Sequence, residues 1–361
     1  MSSVVGTIIT PGDTPGRLAG HVASVFNPSF RVLARFARSY ERKDRVLALQ
    51  APWFLLGLLA TWLALMLCGY SAILWAFTKI PVADAFQEAG SSMTTLGLSV
   101  THSHSAIVVD LLAAGSGLVV VALLIGYLPA IYAAFNRRET LVTLLEARAG
   151  APAWGPEILW RHQRIGILDT VRDFYGKWEE WCADLAESHS TYPVLLWFRS
   201  PDPLRSWLTG LLAVLDSAAL YLSLSPEAAP SEARLCLRMG FTGLRTIADV
   251  ISIDYDADPR PDAPIQLTYE EYVRGVKRLG EIGFPMERTA EEAWPDFRGW
   301  RVNYEHIALE IAERINAIPG PWAGERKALG IRTIPTKRPV DRTPDEPEGT
   351  DYTRPGTYEE S

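Results

Sequence analysis

Between Pro52 and Phe77 the chain carries no Asp, Glu, Lys or Arg. A helix rises 1.5 Å per residue, so about 20 apolar residues cross the hydrocarbon core of a bilayer. The stretch is therefore long enough to cross with some tilt, and inside hydrocarbon its backbone groups are satisfied only in a helix or a closed barrel. Trp53 and Trp75 lie near its two ends, where amphipathic rings favour the interface. A second apolar stretch runs over 106–135, with Asp110 as its only acidic residue and Arg137 and Arg138 just beyond it. Both outer flanks are basic, whereas the connection between the stretches sets Lys79 against Asp84 and Glu88. The positive-inside rule then predicts a multi-pass protein of the cell membrane, surrounded by lipid, with both termini cytoplasmic. Residues 1–50 are polar and rich in Arg, without a signal-peptide core, so the first stretch reads as a retained anchor.

The rest of the chain reads as helical, and the expected class is all-α. Residues 1–20 carry no sustained period, while Arg31, Arg35, Arg38 and Arg42 recur at helical spacing. That spacing suits either a helix on an anionic leaflet or a solvated helix before the membrane. After the second apolar stretch, 139–335 mixes aromatic and charged residues at helical periods over 172–187, 231–251, 268–283 and 301–318. Strand patterning is confined to a weak alternation over 249–255. Residues 206–225 are apolar and as long as a span, but Asp216 at the centre costs about 2.5–3.5 kcal/mol on insertion, which favours a buried helix of a soluble bundle. Residues 336–361 have almost no large aliphatic side chain and read as disordered. The expected organisation is a cytosolic segment over 1–50, a membrane module over 51–138, a cytosolic helical domain over 139–335 and a tail.

Composition narrows the function. A net charge of −7 speaks against a nucleic-acid partner. Cys68, Cys182 and Cys236 form no CxxC pair and no even framework, as in a reducing compartment. His162, His189 and His306 lack metal-ligand spacing, no catalytic carboxylate pair stands out and no Gly-rich phosphate loop follows a strand. No enzyme activity and no cofactor are expected. Phe174, Tyr175, Trp178 and Trp181 recur at helical spacing and read as core or interface.

The segment between the two apolar stretches carries the chemistry. Pro81 opens a run of helical composition, 82–94, too short to cross a bilayer but long enough to dip into one. Proline suits the first turn, and Asp84 favours the positive end of the helix dipole. The opposite end, at Thr94, carries partial negative charge, which favours a cation. Thr94-Thr95-Leu96-Gly97-Leu98-Ser99 follows. Backbone carbonyls can replace the water around an ion if they face one axis, and Gly97 supplies conformational freedom for that. The alternative is a hairpin whose loop is merely external.

Half-helix and hexapeptide together resemble the tetrameric potassium-channel superfamily, in which a Thr-Thr-Val-Gly-Tyr-Gly-type filter follows a pore helix. Thr94 and Thr95 fall on the two threonines, Leu96 on the valine and Gly97 on the first glycine. Leu98, Ser99 and Val100 depart from the outer half. The Thr-x-Gly-x-Ser form is also similar to the filter loops of the Trk and Ktr transporters, which join four such repeats in one chain. The resemblance covers 52–135 and implies two spans (about 52–77 and 106–135), a pore helix (82–94) and a filter (94–99). It implies carbonyls of Thr95, Leu96, Gly97 and Leu98, with the Thr95 hydroxyl, as ligands of a monovalent cation, potassium foremost, in a homotetramer that completes the ring. Gly115, Gly117 and Pro129 fall where an inner helix would hinge or kink, and close helix packing explains the glycines equally well. His102 and His104 follow the loop as polar groups or as a proton or metal sensor. The expected function is an ion channel; the rival is a membrane-anchored scaffold or sensor with a helical domain.

Overall fold

The computed structural model describes residues 17–36, 40–98 and 103–323. Among them the chain is all-helical, with no strand and one isolated bridge, Gly320 to Ala323. It divides into two compact units, 1–37 with 46–134, and 38–45 with 135–361. Ser99, Val100, His102 and the tail 336–361 lie outside the described residues.

In the first unit, α1 spans Arg17–Arg35 and α3 spans Gln50–Thr78; α2, Tyr40–Ala48, precedes α3 in the chain, and its residues up to Arg45 belong to the second unit. The helical period thus already begins at Arg17, inside the stretch that reads as aperiodic. The four spaced arginines do not share one described helix, because Phe36 is in a turn and 37–39 lie outside the described residues. Amphipathic α1 lays Val22 and Phe26 on α3: an added Cβ at Gly57 would stand 2.4 Å from the Phe26 ring, so a larger residue there requires that ring to move. Pro81 then starts α4, Val82–Met93, which is about 18 Å long by the helical rise. The last helix of the unit, α5, runs His104–Ala149 without interruption through Gly115, Gly117 and Pro129. Its buried residues Ala106, Val109, Ala113, Ser116, Val120, Leu124, Tyr127, Ile131 and Ala134 recur every three or four positions, the stripe of a 3.6-residue period. The remaining faces are apolar yet exposed, including Leu111, Leu118 and Ile125.

The second unit is a helical bundle. It is built from the end of α5 with α6 (Gly155–Arg164), α7 (Val171–Thr191), α8 (Trp207–Leu224), α9 (Ser231–Val250), α10 (Tyr269–Gly280), α11 (Ala290–Arg301) and α12 (Glu305–Ile315). Helix α8 is its axis. Among the described residues three helical segments are long and apolar enough to cross a membrane, Arg42–Thr78, His104–Ala149 and Trp207–Leu224. They differ in surroundings: 94% of the apolar window of α8 is buried by protein, against 22% and 33% for the other two. Asp216 in α8 finds its partners there. It accepts hydrogen bonds from Arg301 at 2.6 Å and Tyr304 at 2.8 Å, while Arg301 also bonds Glu305 at 2.8 Å. Every member of that cluster is buried, so the charge inside an apolar helix is compensated by α11 and α12.

Phe174, Tyr175, Trp178 and Trp181 lie in the main core, with Trp178 and Trp181 rings 4.7 Å apart. Cys182 on α7 and Cys236 on α9 are buried free thiols within hydrogen-bonding reach of each other. Helices α10 and α11 each start with a capping box, Thr268 with Glu271 and Thr289 with Glu292. The weak alternation over 249–255 is no strand: Ser252, in the left-handed region at φ 54°, closes α9, and Ile253 N–H returns to the Ala248 carbonyl.

Arg138, near the start of this unit, is fully buried and wholly satisfied. It bonds Glu139, the carbonyls of Leu195 and Phe198, and Nε2 of His189 at 3.1 Å. Because guanidinium only donates, His189 accepts at Nε2 and donates from Nδ1 to the Leu185 carbonyl. Burial and the adjacent Arg138 charge hold its pKa well below the ordinary histidine value.

Candidate functional site

The loop after α4 is organised by two serines of that helix. Thr94 N–H and Oγ1 both donate back to the Gly90 carbonyl, at 3.1 and 2.7 Å, ending the helix. Thr95 N–H donates to the Ser92 carbonyl at 3.0 Å and Leu96 N–H to the Ser91 carbonyl at 2.9 Å. Leu98 N–H then donates to Ser91 Oγ at 2.7 Å. Ser91, buried, thus holds two alternate peptides of the loop by one residue.

Those tethers decide where carbonyls point. In a trans peptide N–H and C=O are directed oppositely. Drawing the N–H groups of Thr95, Leu96 and Leu98 onto α4 therefore turns the carbonyls of Thr94, Thr95 and Gly97 away from it. Among the described residues no such tether holds the peptide carrying the Leu96 carbonyl, and the Leu98 carbonyl joins Ser99, outside the described residues. Thr95 and Gly97 are both left-handed, at φ 58° and 69°, while Leu96 and Leu98 are not. Gly97 adopts that region freely. For β-branched Thr95 it is an outlier, costing about 1–3 kcal/mol, and such strain is held only where surrounding contacts over-determine it. Thr94 to Leu98 are all exposed in the single chain, Leu96 and Leu98 at 65% and 72%. A Cβ added at Gly97 would meet nothing within 4 Å.

Behind the loop, α4 is fixed to α5. Ser92 Oγ donates to Asp110 at 2.7 Å, and the Asp110 carboxyl lies within hydrogen-bonding reach of that of Glu88, itself buried. Ala85 and Ala89 of α4 pack with Leu74, Ala106 and Val109. Gly117 is needed for the approach: a Cβ there would stand 2.5 Å from the Met93 carbonyl oxygen at the end of α4. Gly115, by contrast, faces open space. Gly117 therefore acts through close packing, and Pro129 lies inside a continuous helix.

The electrostatics suit a cation. From Ile80 to Asn136 there is no Lys or Arg, while Asp84, Glu88 and Asp110 are present. The C-terminal end of α4 adds its partial negative charge at Thr94 and Thr95. His104, at the start of α5, is exposed. No group of three His, Cys, Asp or Glu able to hold a metal occurs among the described residues.

Sequence reasoning singled out Thr94–Ser99 but passed over Ser91, Ser92 and Glu88. The available signal was polarity on the wrong face: Glu88, Ser91 and Ser92 recur at helical spacing beside the small residues Ala85 and Ala89, so they share the buried side. No known protein family, curated protein or solved structure matches the chain, so the role of the site rests on its own geometry.

Proposed function

We propose that the chain is a subunit of a cation channel, in which α3 and α5 cross the membrane and four copies bring their 94–99 loops around one axis. The observation that carries this reading is the tethering of alternate N–H groups to Ser91, which leaves the Thr95 and Gly97 carbonyls directed away from the helix. A ring of oxygen dipoles from four such loops replaces the hydration shell of a monovalent cation, and potassium is the favoured ion. A single chain supplies one loop, and its exposed Leu96 and Leu98 need cover that neighbouring subunits would give. The apolar exposed faces of α3 and α5 suit lipid, and irregular backbone at membrane depth is tolerated where it lines a cavity. In this arrangement both termini are cytoplasmic and α8 stays inside the helical domain. Passive conduction uses no catalytic group.

The test is the reversal potential of purified protein in a planar bilayer under a potassium-to-sodium gradient. We expect a current reversing toward the potassium equilibrium potential, abolished by Gly97→Val, since a β-branched residue disfavours the left-handed region. Absence of current from folded, incorporated protein, or current unchanged by Gly97→Val, leaves the scaffold reading instead.

A further inference from the structure

A cavity of about 360 Å³ opens in the helical unit between the last turns of α5, the buried end of α6 and the first two turns of α7. That volume is at the small end of the range of ligand pockets. Leu141, Leu144 and Leu145 give it an aliphatic wall, and Phe174 and Trp178 an aromatic one. Its charged groups are Arg148, Lys177 and Asp173, a balance of +1 while His162 is neutral.

Arg148 differs from the buried arginines of this unit in its charge partners. The buried arginines Arg138, Arg161 and Arg301 are each paired with a carboxylate. Arg148, half-buried at the cavity wall, makes no ion pair among the described residues and rests over the Phe174 ring at 6.0 Å. A guanidinium offers its N–H groups in a planar fork that matches a carboxylate. His162 donates from Nδ1 to the Ile158 carbonyl at 2.7 Å, so its Nε2 is left as an acceptor. Burial, and the nearby Arg148 charge, lower its pKa and keep it neutral.

We propose that this cavity binds a small organic monoanion, its carboxylate on Arg148 with Lys177 at the lip and its apolar body against the leucines and Phe174. A charge balance of +1 matches one negative charge, so a carboxylate is preferred to a dianionic phosphate ester. Leu141 to Arg148 belong to α5, so an occupant touches that helix directly. The inference stands whether or not the chain conducts.

The experiment is fluorine-19 ligand-observed NMR on the full chain in detergent, with protein-free micelles as the reference. The probes are 4-fluorobenzoate, 4-fluorobenzyl alcohol and 4-fluorophenyl phosphate. We expect saturable binding of the benzoate, at least tenfold tighter than the alcohol. Arg148→Gln weakens it about tenfold or more, the scale of a charge-assisted hydrogen bond, whereas Arg148→Lys, which keeps the charge but loses the planar fork, weakens it less. Leu144→Trp, at a half-exposed lining position, fills the cavity and removes binding without a core change. Absence of saturable binding, equal affinity for the alcohol, tighter binding of the phosphate, or benzoate binding that survives both Arg148→Gln and Leu144→Trp overturns the proposal.

Discussion

At the scale of single residues, Ser91 does more for the candidate site than any loop residue. Its carbonyl and hydroxyl receive the N–H groups of Leu96 and Leu98, and through planar peptides fix the opposite carbonyls. Ser91→Ala removes one tether and leaves the other. In the channel reading, we expect Ser91→Ala to reduce potassium-over-sodium selectivity, with the reversal potential moving toward zero, while Ser91→Thr restores it. An unchanged reversal potential in Ser91→Ala contradicts that role. Gly97 was legible as the residue needing unusual dihedrals, because glycine alone adopts them without cost. Thr95 at φ 58° was not legible: a β-branched residue is placed there by its tether to Ser92, a contact that no local preference encodes.

At the scale of elements, charge-free length identifies apolar helices but not what surrounds them. Helices were expected over 52–77, 82–94 and 106–135; those observed are Gln50–Thr78, Val82–Met93 and His104–Ala149. The third extends furthest beyond its expectation, since a polar continuation at Asn136 ends an apolar run without ending a helix. Two helices, α6 and α11, were not read from the pattern, because α6 is short and opens at Pro156 and α11 carries Pro295. Helix α8 shows the limit most clearly. Asp216 in its centre signalled burial by protein, and its partners, 85 and 88 residues away, are visible only in three dimensions. Removing one member of a buried pair strands the other charge. We expect Arg301→Met to destabilise the helical unit by about 3–5 kcal/mol, measured by denaturant unfolding of the solubilised protein. A loss under about 1 kcal/mol, the scale of an exposed pair, contradicts this account of α8.

At the scale of the whole molecule, the proposed topology makes a prediction about α8 that needs no current. Its flanks carry exposed Pro201 before it and Ala228 after it. In a Cys68→Ser background, with Cys182 and Cys236 buried, single cysteines at Pro201→Cys and Ala228→Cys report both ends. We expect an impermeant maleimide to label both from the same side of sealed vesicles. Labelling from opposite sides makes α8 a third span and removes the two-span arrangement. By itself the sequence determined that the chain is helical, that two long apolar segments flank a short helix, and that Thr94 to Ser99 is the unusual segment between them, because hydropathy, charge placement and glycine's dihedral freedom are local properties. Only the tertiary structure decided which carbonyls of that loop turn away from its helix, that Gly117 serves the packing of α4 on α5, that Asp216 meets Arg301, and that Cys182 meets Cys236. The last three depend on contacts between residues far apart in the chain and the first on short-range tethers to Ser91 and Ser92, and none of these leaves a trace in local composition or period.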